Sequence, residues 1–471
     1  MSAARPRFVR PVAPARTSAR RTASGALALA CCTLASVSMA QESPAPPPSD
    51  PPPPHDVAAA ATPAPAGGDS GVERHDFDFG TDLTLGYDFS PGETETSVYE
   101  ELQDIFVDKE PVAPVRPLDA PFSSFRGLTE KLDGAVGLRV GIAYTVVFQQ
   151  ATGGKSGAGG DFDVFGTWDL INRGKADTGR LVWAVENRHK IGGRAASDLR
   201  PALGTLLAPV NGFNDRGWVV RDLFWQQNLL DDRLRIIVGR ADPTDYFGAH
   251  RLQNKNALFF NRHISGAAAI PSPGHGLSLI GTLRPNDLFF FTAGTSNAYG
   301  DTTEVQIESL FEEWDLFSFG EVGFTPMVKG LGQARYTVSG FYVDSRDRGD
   351  RDIPHDSGFS LVLDQDIGER VQAFFRYNYT EQSVSNIEHL VQGGVGVSGL
   401  LGSTDNMTGL AYSYADPAGP GRSEQVVEIF HRFQLTGFIQ FSIGAQAIFD
   451  PTFAPDDDVI GVFSTRARIA F

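Results

Sequence analysis

From about Ala135 to the C-terminus the chain alternates. Leu138, Val140, Ile142, Tyr144, Val146 and Phe148 fall on one side of a period-two pattern, with Arg139, Gly141, Ala143, Thr145 and Gln149 on the other. The same alternation sets Phe162, Val164 and Trp168 against Asp161, Asp163, Thr167 and Asp169, and Leu181, Trp183 and Val185 against Arg180, Glu186 and Arg188. It returns with Leu234, Ile236 and Val238 against Arg233 and Arg235, and closes the chain with Phe463, Thr465, Ala467, Ile469 and Phe471 against Ser464, Arg466 and Arg468. A strand shows successive side chains to opposite faces, so this pattern predicts strands with one apolar and one polar face. Sixteen are expected, near 135–149, 161–170, 179–190, 217–228, 232–240, 275–283, 287–296, 317–325, 332–343, 356–365, 369–380, 388–399, 405–414, 423–433, 437–448 and 459–471. None contains a proline, although seventeen prolines follow residue 67, and proline breaks strand ladders.

Alternation alone leaves a β-sandwich or β-helix open beside a transmembrane barrel. Three features favour the barrel. Charges gather on one face while Tyr, Trp and Phe crowd the other, as a lipid-facing wall with interfacial girdles requires. Long connections (191–216, 241–274, 297–316) alternate with tight turns such as 230–233 and 284–287. The chain also stops on an aromatic, Phe471, that completes an alternating strand and serves as an assembly signal for the barrel-assembly machinery. The fold class expected is therefore all-β, an antiparallel up-and-down transmembrane barrel of about sixteen strands in residues 131–471.

What precedes it is of other kinds. Residues 1–24 are basic, Gly25–Ser38 is a short apolar run, and Ser38-Met39-Ala40 precedes Gln41, which together read as a signal peptide over residues 1–40. Arg20-Arg21 offers a twin-arginine alternative, and Leu29-Ala30-Cys31-Cys32 a lipoprotein one. Export follows on every version. Residues 41–72 form a Pro/Ala-rich linker, with ten of the thirty prolines between Pro44 and Pro65. Residues 73–130 form a short periplasmic or plug segment with one helix, Ser97–Lys109, whose Val98, Leu102, Ile105 and Phe106 share a face. No stretch after the signal reaches 18 consecutive apolar residues, so a helical span is not expected.

Charge and cysteine narrow the chemistry. The net charge is −17, and −23 once the six arginines of residues 1–40 are set aside, which argues against nucleic acid as a partner. Both cysteines, Cys31 and Cys32, lie in the signal, so residues 41–471 hold no thiol catalyst, disulfide or Cys-ligated metal. Gly153-Gly154-Lys155-Ser156 lacks the first glycine of a phosphate-binding loop, because Gln149 stands there. His250, His263 and His275 fit no metal spacing, no Gly-x-Ser-x-Gly elbow occurs, and nothing marks Asp161 and Asp163 as a glycosidase pair. No enzyme, metal or cofactor is expected.

A sixteen-stranded barrel is too wide for its own side chains to fill and leaves an aqueous channel. The residues expected to line it are Arg139, Asp163, Glu186, Arg188, Arg235, Arg335, Arg376, Glu428, Arg466 and Arg468, a set of mixed sign. An ion-selective pore would show a ring of one sign. Facing guanidiniums and carboxylates suit a neutral solute with many hydroxyls, because both groups hydrogen-bond them. The long loops 241–274 and 297–316 are the candidates to narrow the channel, with Glu308, Phe311 and Trp314 of the second as constriction residues.

One stretch carries more than pattern. Gly239-Arg240-Ala241-Asp242-Pro243-Thr244-Asp245-Tyr246-Phe247, Phe260-Asn261, Pro271 with Gly274 and Gly276, and Gly294…Asn297 resemble the carbohydrate-selective porins of the OprB type. So do Trp314 with Phe319, Glu321 and Gly323, then Gln365, Val395-Gly396-Val397-Ser398-Gly399-Leu400, Glu424…Glu428-Ile429-Phe430, Gln446…Asp450-Pro451 and Arg466…Phe471. The resemblance spans roughly residues 125–471. It implies a sixteen-stranded channel in the outer membrane of a Gram-negative bacterium, set in lipid and lipopolysaccharide as a monomer or homotrimer. Glucose and other mono- or oligosaccharides would pass by diffusion. Gly248, Ile443 and Asp450 depart from the family's pattern, and the Pro-rich extension is no fixed part of it. A general or anion-preferring porin, or a structural barrel tethered by that extension, are the alternatives.

Overall fold

The computed structural model describes residues 97–471 apart from 114–115, 305–306, 348–351 and 383. The expected signal peptide, the Pro/Ala-rich linker and residues 73–96 lie outside the described residues. Sixteen strands form the wall: β1 Leu138–Ala151, β2 Ser156–Ile171, β3 Gly179–Lys190, β4 Gly217–Leu229, β5 Leu234–Ala241, β6 Gly276–Leu283, β7 Phe289–Asn297 and β8 Leu316–Phe324 in the first half. The second half is β9 Gly332–Val343, β10 Asp356–Ile367, β11 Val371–Thr380, β12 Ile387–Ser398, β13 Met407–Pro417, β14 Glu424–Gln434, β15 Ile439–Phe449 and β16 Val459–Ala470. Each pairs antiparallel with its neighbours in sequence, and β1 pairs with β16 from Ala143↔Ala470 to Ala151↔Val462, which closes the barrel. Closure removes every free sheet edge, the condition for a sheet to stand in lipid.

The period-two pattern is realised strand by strand. Phe148, Val220, Leu279, Val338, Phe375, Leu410, Ile429 and Phe463 point outward and are exposed. Thr145, Asp163, Glu186, Thr337, Arg376, Ser413, Glu428 and Arg466 point inward and are buried. Among the described residues no helix is long and apolar enough to cross a membrane.

The predicted strands overlap the observed ones throughout, with one late start. Residues 156–160 read as a loop because they are Ser-Gly-Ala-Gly-Gly, yet they belong to β2. Their glycines answer to the loop above: a Cβ at Gly157 would lie 2.7 Å from the Ala195 carbonyl oxygen, and one at Gly159 2.7 Å from that of Phe213.

Both chain termini of the described structure meet the end of the barrel that carries the short turns. Helix α1, Val98–Phe106, falls within the predicted Ser97–Lys109 helix, with the Ser97 hydroxyl accepting from the Glu100 amide at 3.3 Å. Helix α2, Arg116–Val136, was not foreseen: Pro117, Pro121, Gly127 and Gly134 hide its periodicity. Its Phe122 and Phe125 pack on Phe471, with ring centroids 4.8 and 5.2 Å apart.

Two long connections from the opposite end fold onto the inner wall. One, residues 191–216, includes α3 Leu199–Leu203. The other, residues 242–275, includes α4 Arg262–Ser265. Their Leu199, Val210, Phe213, Leu258, Phe259, Phe260 and Ile264 form an apolar cluster with Val147, Phe374, Phe430 and Val462 of the wall. Phe259 meets Phe374 and Phe430 edge-on, and His250 stacks on Phe374 at 3.9 Å. The space that a sixteen-stranded barrel leaves open is thus partly filled by its own chain.

Candidate functional site: a charged cluster on the inner wall

The inward charges do two different jobs. On the β8–β16 side they hold the 242–275 connection by its backbone. Glu321 accepts from the Gly248 amide at 2.7 Å, Asp364 from that of Arg251 at 3.2 Å, and Glu428 from those of Phe260 and Asn261 at 2.6 and 2.8 Å. Arg335 donates to the Ala249 carbonyl at 3.1 Å, and Arg466 to those of Lys255 and Leu258 at 2.8 and 2.6 Å. Arg376 donates to the Gly248 and Ile264 carbonyls at 3.2 and 3.3 Å, and also to Gly266, Gln253 and Gln392. A connection without regular secondary structure carries unpaired amides and carbonyls into the lumen, and the wall charges satisfy them. Arg335, Arg376, Glu428 and Arg466 therefore point inward, as alternation predicts, but spend their hydrogen bonds on the loop.

On the β2–β4 side the charges meet one another. Glu186 and Arg188 of β3 pair at 2.7 Å. Asp161 of β2 faces Arg188 and Lys255, each at 3.4 Å, and Lys255, carried in by the 242–275 connection, lies 3.7 Å from Glu186. Arg216, just before β4, also pairs with Glu186. Arg221 of β4 spans Asp163 at 3.6 Å, Glu186 at 3.9 Å, Asp222 at 2.9 Å and Glu101 of α1 at 3.5 Å. Four cations thus face five acids in one contiguous cluster. Neither oxygen of the buried Asp163 has a hydrogen-bond partner, and the Arg221 guanidinium lies 3.6 Å from it.

Only part of the cluster was visible beforehand. Asp163, Glu186 and Arg188 were expected to line the channel and do come together. Arg221 and Asp222 were missed because they are adjacent in sequence, and strict alternation sends one of any such pair outward. A register shift in the β3–β4 ladder between Ala184 and Val185 marks a bulge, and both side chains turn in. Lys255 and Glu101 come from segments outside the wall, where strand periodicity gives no reading. Asp161, Asp163 and Glu186 present carboxylate oxygens within 4.8 Å of one another, but Arg188, Arg216, Arg221 and Lys255 already balance them, so the set does not suit a divalent cation.

The remaining expected residues lie elsewhere. Arg139 pairs with Asp133 of α2 at 2.9 Å, at the short-turn mouth. Arg235 and Arg180 lie over the Tyr99 ring of α1, 5.9 and 5.5 Å from its centroid. Arg468 donates to the Thr145 hydroxyl at 3.1 Å. Phe311 and Trp314 are 71% and 64% exposed, Phe311 on α5, Ile307–Glu312, the helix that also carries Glu308. Residues 298–315 reach the wall at Ala298, buried in one cluster with Phe317 and Phe319, at Ser309, whose hydroxyl accepts from the Asn297 side-chain amide at 3.0 Å, and at the Asp301 and Glu304 carbonyls, which accept from Arg240 at 2.8 Å each. A cavity of about 450 Å³ opens at the short-turn end between Asp108, Lys109, Arg126, Glu130 and Phe438, and holds none of the cluster.

No family model matches the chain, and no curated protein does. Among solved structures it is similar to OprB of Pseudomonas putida. The high-pH structure aligns with a TM-score of 0.61 at 14% identity, over 74% of this chain and 97% of that one. The low-pH structure aligns with a TM-score of 0.51 at 12% identity, over 78% of this chain and all of that one. The resemblance read from the sequence is borne out as a likeness of fold.

Proposed function

We propose that the chain is an outer-membrane porin that passes neutral, hydroxyl-rich solutes, mono- or oligosaccharides, by diffusion. The observation that carries this is the mixed-sign cluster of Asp161, Glu186, Arg188, Arg221 and Lys255 on the inner face of a closed barrel narrowed by an inward loop. Guanidinium and ammonium groups donate to sugar hydroxyls, and carboxylates accept from them. Because the cluster nearly cancels its own charge, it offers no single-sign ring to concentrate one kind of ion. Its pairs are fixed before a solute arrives, so each contact replaces water at little reorganisation, and binding stays weak enough for release. Arg188 and Lys255 keep the largest exposure among the four cations, 11% and 10% of their side chains, and would meet the solute first. The barrel's likeness to OprB supports the porin reading.

Liposome swelling with the reconstituted protein tests it, using glucose, a disaccharide and a neutral amino acid of similar size. Fast swelling with sugars and slow swelling with the amino acid is expected. Arg188→Ala should lower the sugar rate more than the conductance of small ions. Equal rates for all solutes would leave a general porin, and no swelling from a folded barrel would sink the channel itself.

A further inference from the structure

Helix α1 lies inside the barrel wall, a position its amphipathic pattern alone does not specify. Val98, Tyr99, Leu102 and Ile105 are buried in one cluster with Ala143, Phe165, Val182, Phe224 and Ile237 of the inner wall. Gly141 leaves room for it: a Cβ there would lie 2.8 Å from the Ile105 Cδ1. Tyr99 is held beneath Arg180 and Arg235, and Glu101 reaches Arg221 of the charged cluster at 3.5 Å. The Arg221 guanidinium donates to the Glu101 carboxylate, so the helix is tied to the wall by a polar contact as well as by its apolar face.

Beyond α1 the chain crosses the short-turn mouth. The Val112 and Ala113 amides donate to the Gln434 and Leu435 carbonyls at 2.8 and 3.2 Å, and the Glu110 carboxylate accepts from the Thr404 hydroxyl at 2.7 Å. These contacts lie on turns far in sequence from β1–β5, where α1 is seated. Yet the ladder that closes the barrel runs through β1–β16 alone. A helix with its side chains fills a cylinder about 10 Å across, so α1 removes a large share of the open section while adding nothing to wall closure.

We propose that α1 is a resident plug that sets the size limit of the channel. It is held in the lumen by the Glu101–Arg221 pair and by Tyr99, and its withdrawal widens the path without opening the sheet. This rests on the channel reading above. Because α1 supplies Glu101, it also makes one end of the charged cluster detachable.

The test compares the full chain with two variants, a deletion of residues 97–106 and the triple substitution Tyr99→Ser, Glu101→Gln, Leu102→Ser. Folding is checked by heat-modifiable migration, and the triple variant decides if the deletion does not fold. Single-channel conductance is expected to rise about twofold or more, as pore section governs passage, and swelling should extend to larger oligosaccharides. Unchanged conductance with an unchanged size limit in a folded variant overturns the plug and leaves the channel standing. Silence of the parent and both folded variants overturns the channel and the plug together.

Discussion

Arg376 shows how much a single inward side chain organises. It is fully buried and donates to three carbonyls of the 242–275 connection. Leaving one buried acceptor without its donor costs about 1–3 kcal/mol, so Arg376→Ala should lower the temperature of the heat-modifiable shift and make conductance noisier as the loop detaches. A surface substitution such as Arg173→Ala is the control. His250 gives a pH dependence of known sign. Burial first, then the nearby Arg376 and Arg335, holds its imidazole well below the usual 6.5, while its Nε2 lies 2.9 Å from the Ile264 carbonyl. It is neutral when docked, whereas a released loop takes up a proton below pH 6.5. The stability it contributes is therefore full above that pH and is lost as pH falls. Thermal stability measured at pH 7.5 and at about pH 5 should fall more in the parent than in His250→Gln; an equal fall in both would remove His250 from the account. Which arginines point inward was legible from alternation. What each touches was not, because several partners are main-chain atoms of a connection distant in sequence, as with Arg376 and Gly248.

At the scale of elements, the strands and the amphipathic α1 were easy to read and α2 was not. A strand in a barrel wall repeats every two residues against two uniform media, so its pattern is local. Helix α2 packs only part of its surface, and its prolines and glycines further blur a period of 3.6. Its role shows in what it covers: Phe122 and Phe125 close over Phe471, and Phe122 also meets Phe438 at 5.7 Å. Each such ring pair contributes about 0.5–1.5 kcal/mol beyond the area it buries. Phe122→Ala with Phe125→Ala should therefore lower the unfolding temperature and leave the conductance of the folded fraction unchanged. A wider channel with no loss of stability would instead make α2 part of the constriction. The bulge in β4 is one of the places where the wall breaks its own rule, and it falls where two adjacent charges, Arg221 and Asp222, both enter the cluster.

For the whole molecule, channel and tether are separable. Deleting residues 41–70 should leave conductance and swelling intact if the barrel is the working part, and loss of both in a folded protein would argue for the extension. The sequence by itself determined the wall: sixteen strands, their faces and their near boundaries follow from a period-two pattern, with an outward apolar face and an inward polar one on every strand. It also determined the sign of the inner surface. Only the tertiary structure decided which of those charges hold a loop and which face one another. That choice depends on where residues 191–216 and 242–275 fold, and their irregular backbone carries no period to read. The seating of α1 in the lumen is of the same kind. Its apolar face and Ser97 cap were local facts, but the partners that bury it, Gly141, Phe165 and Arg221, exist as a surface only once the barrel has closed.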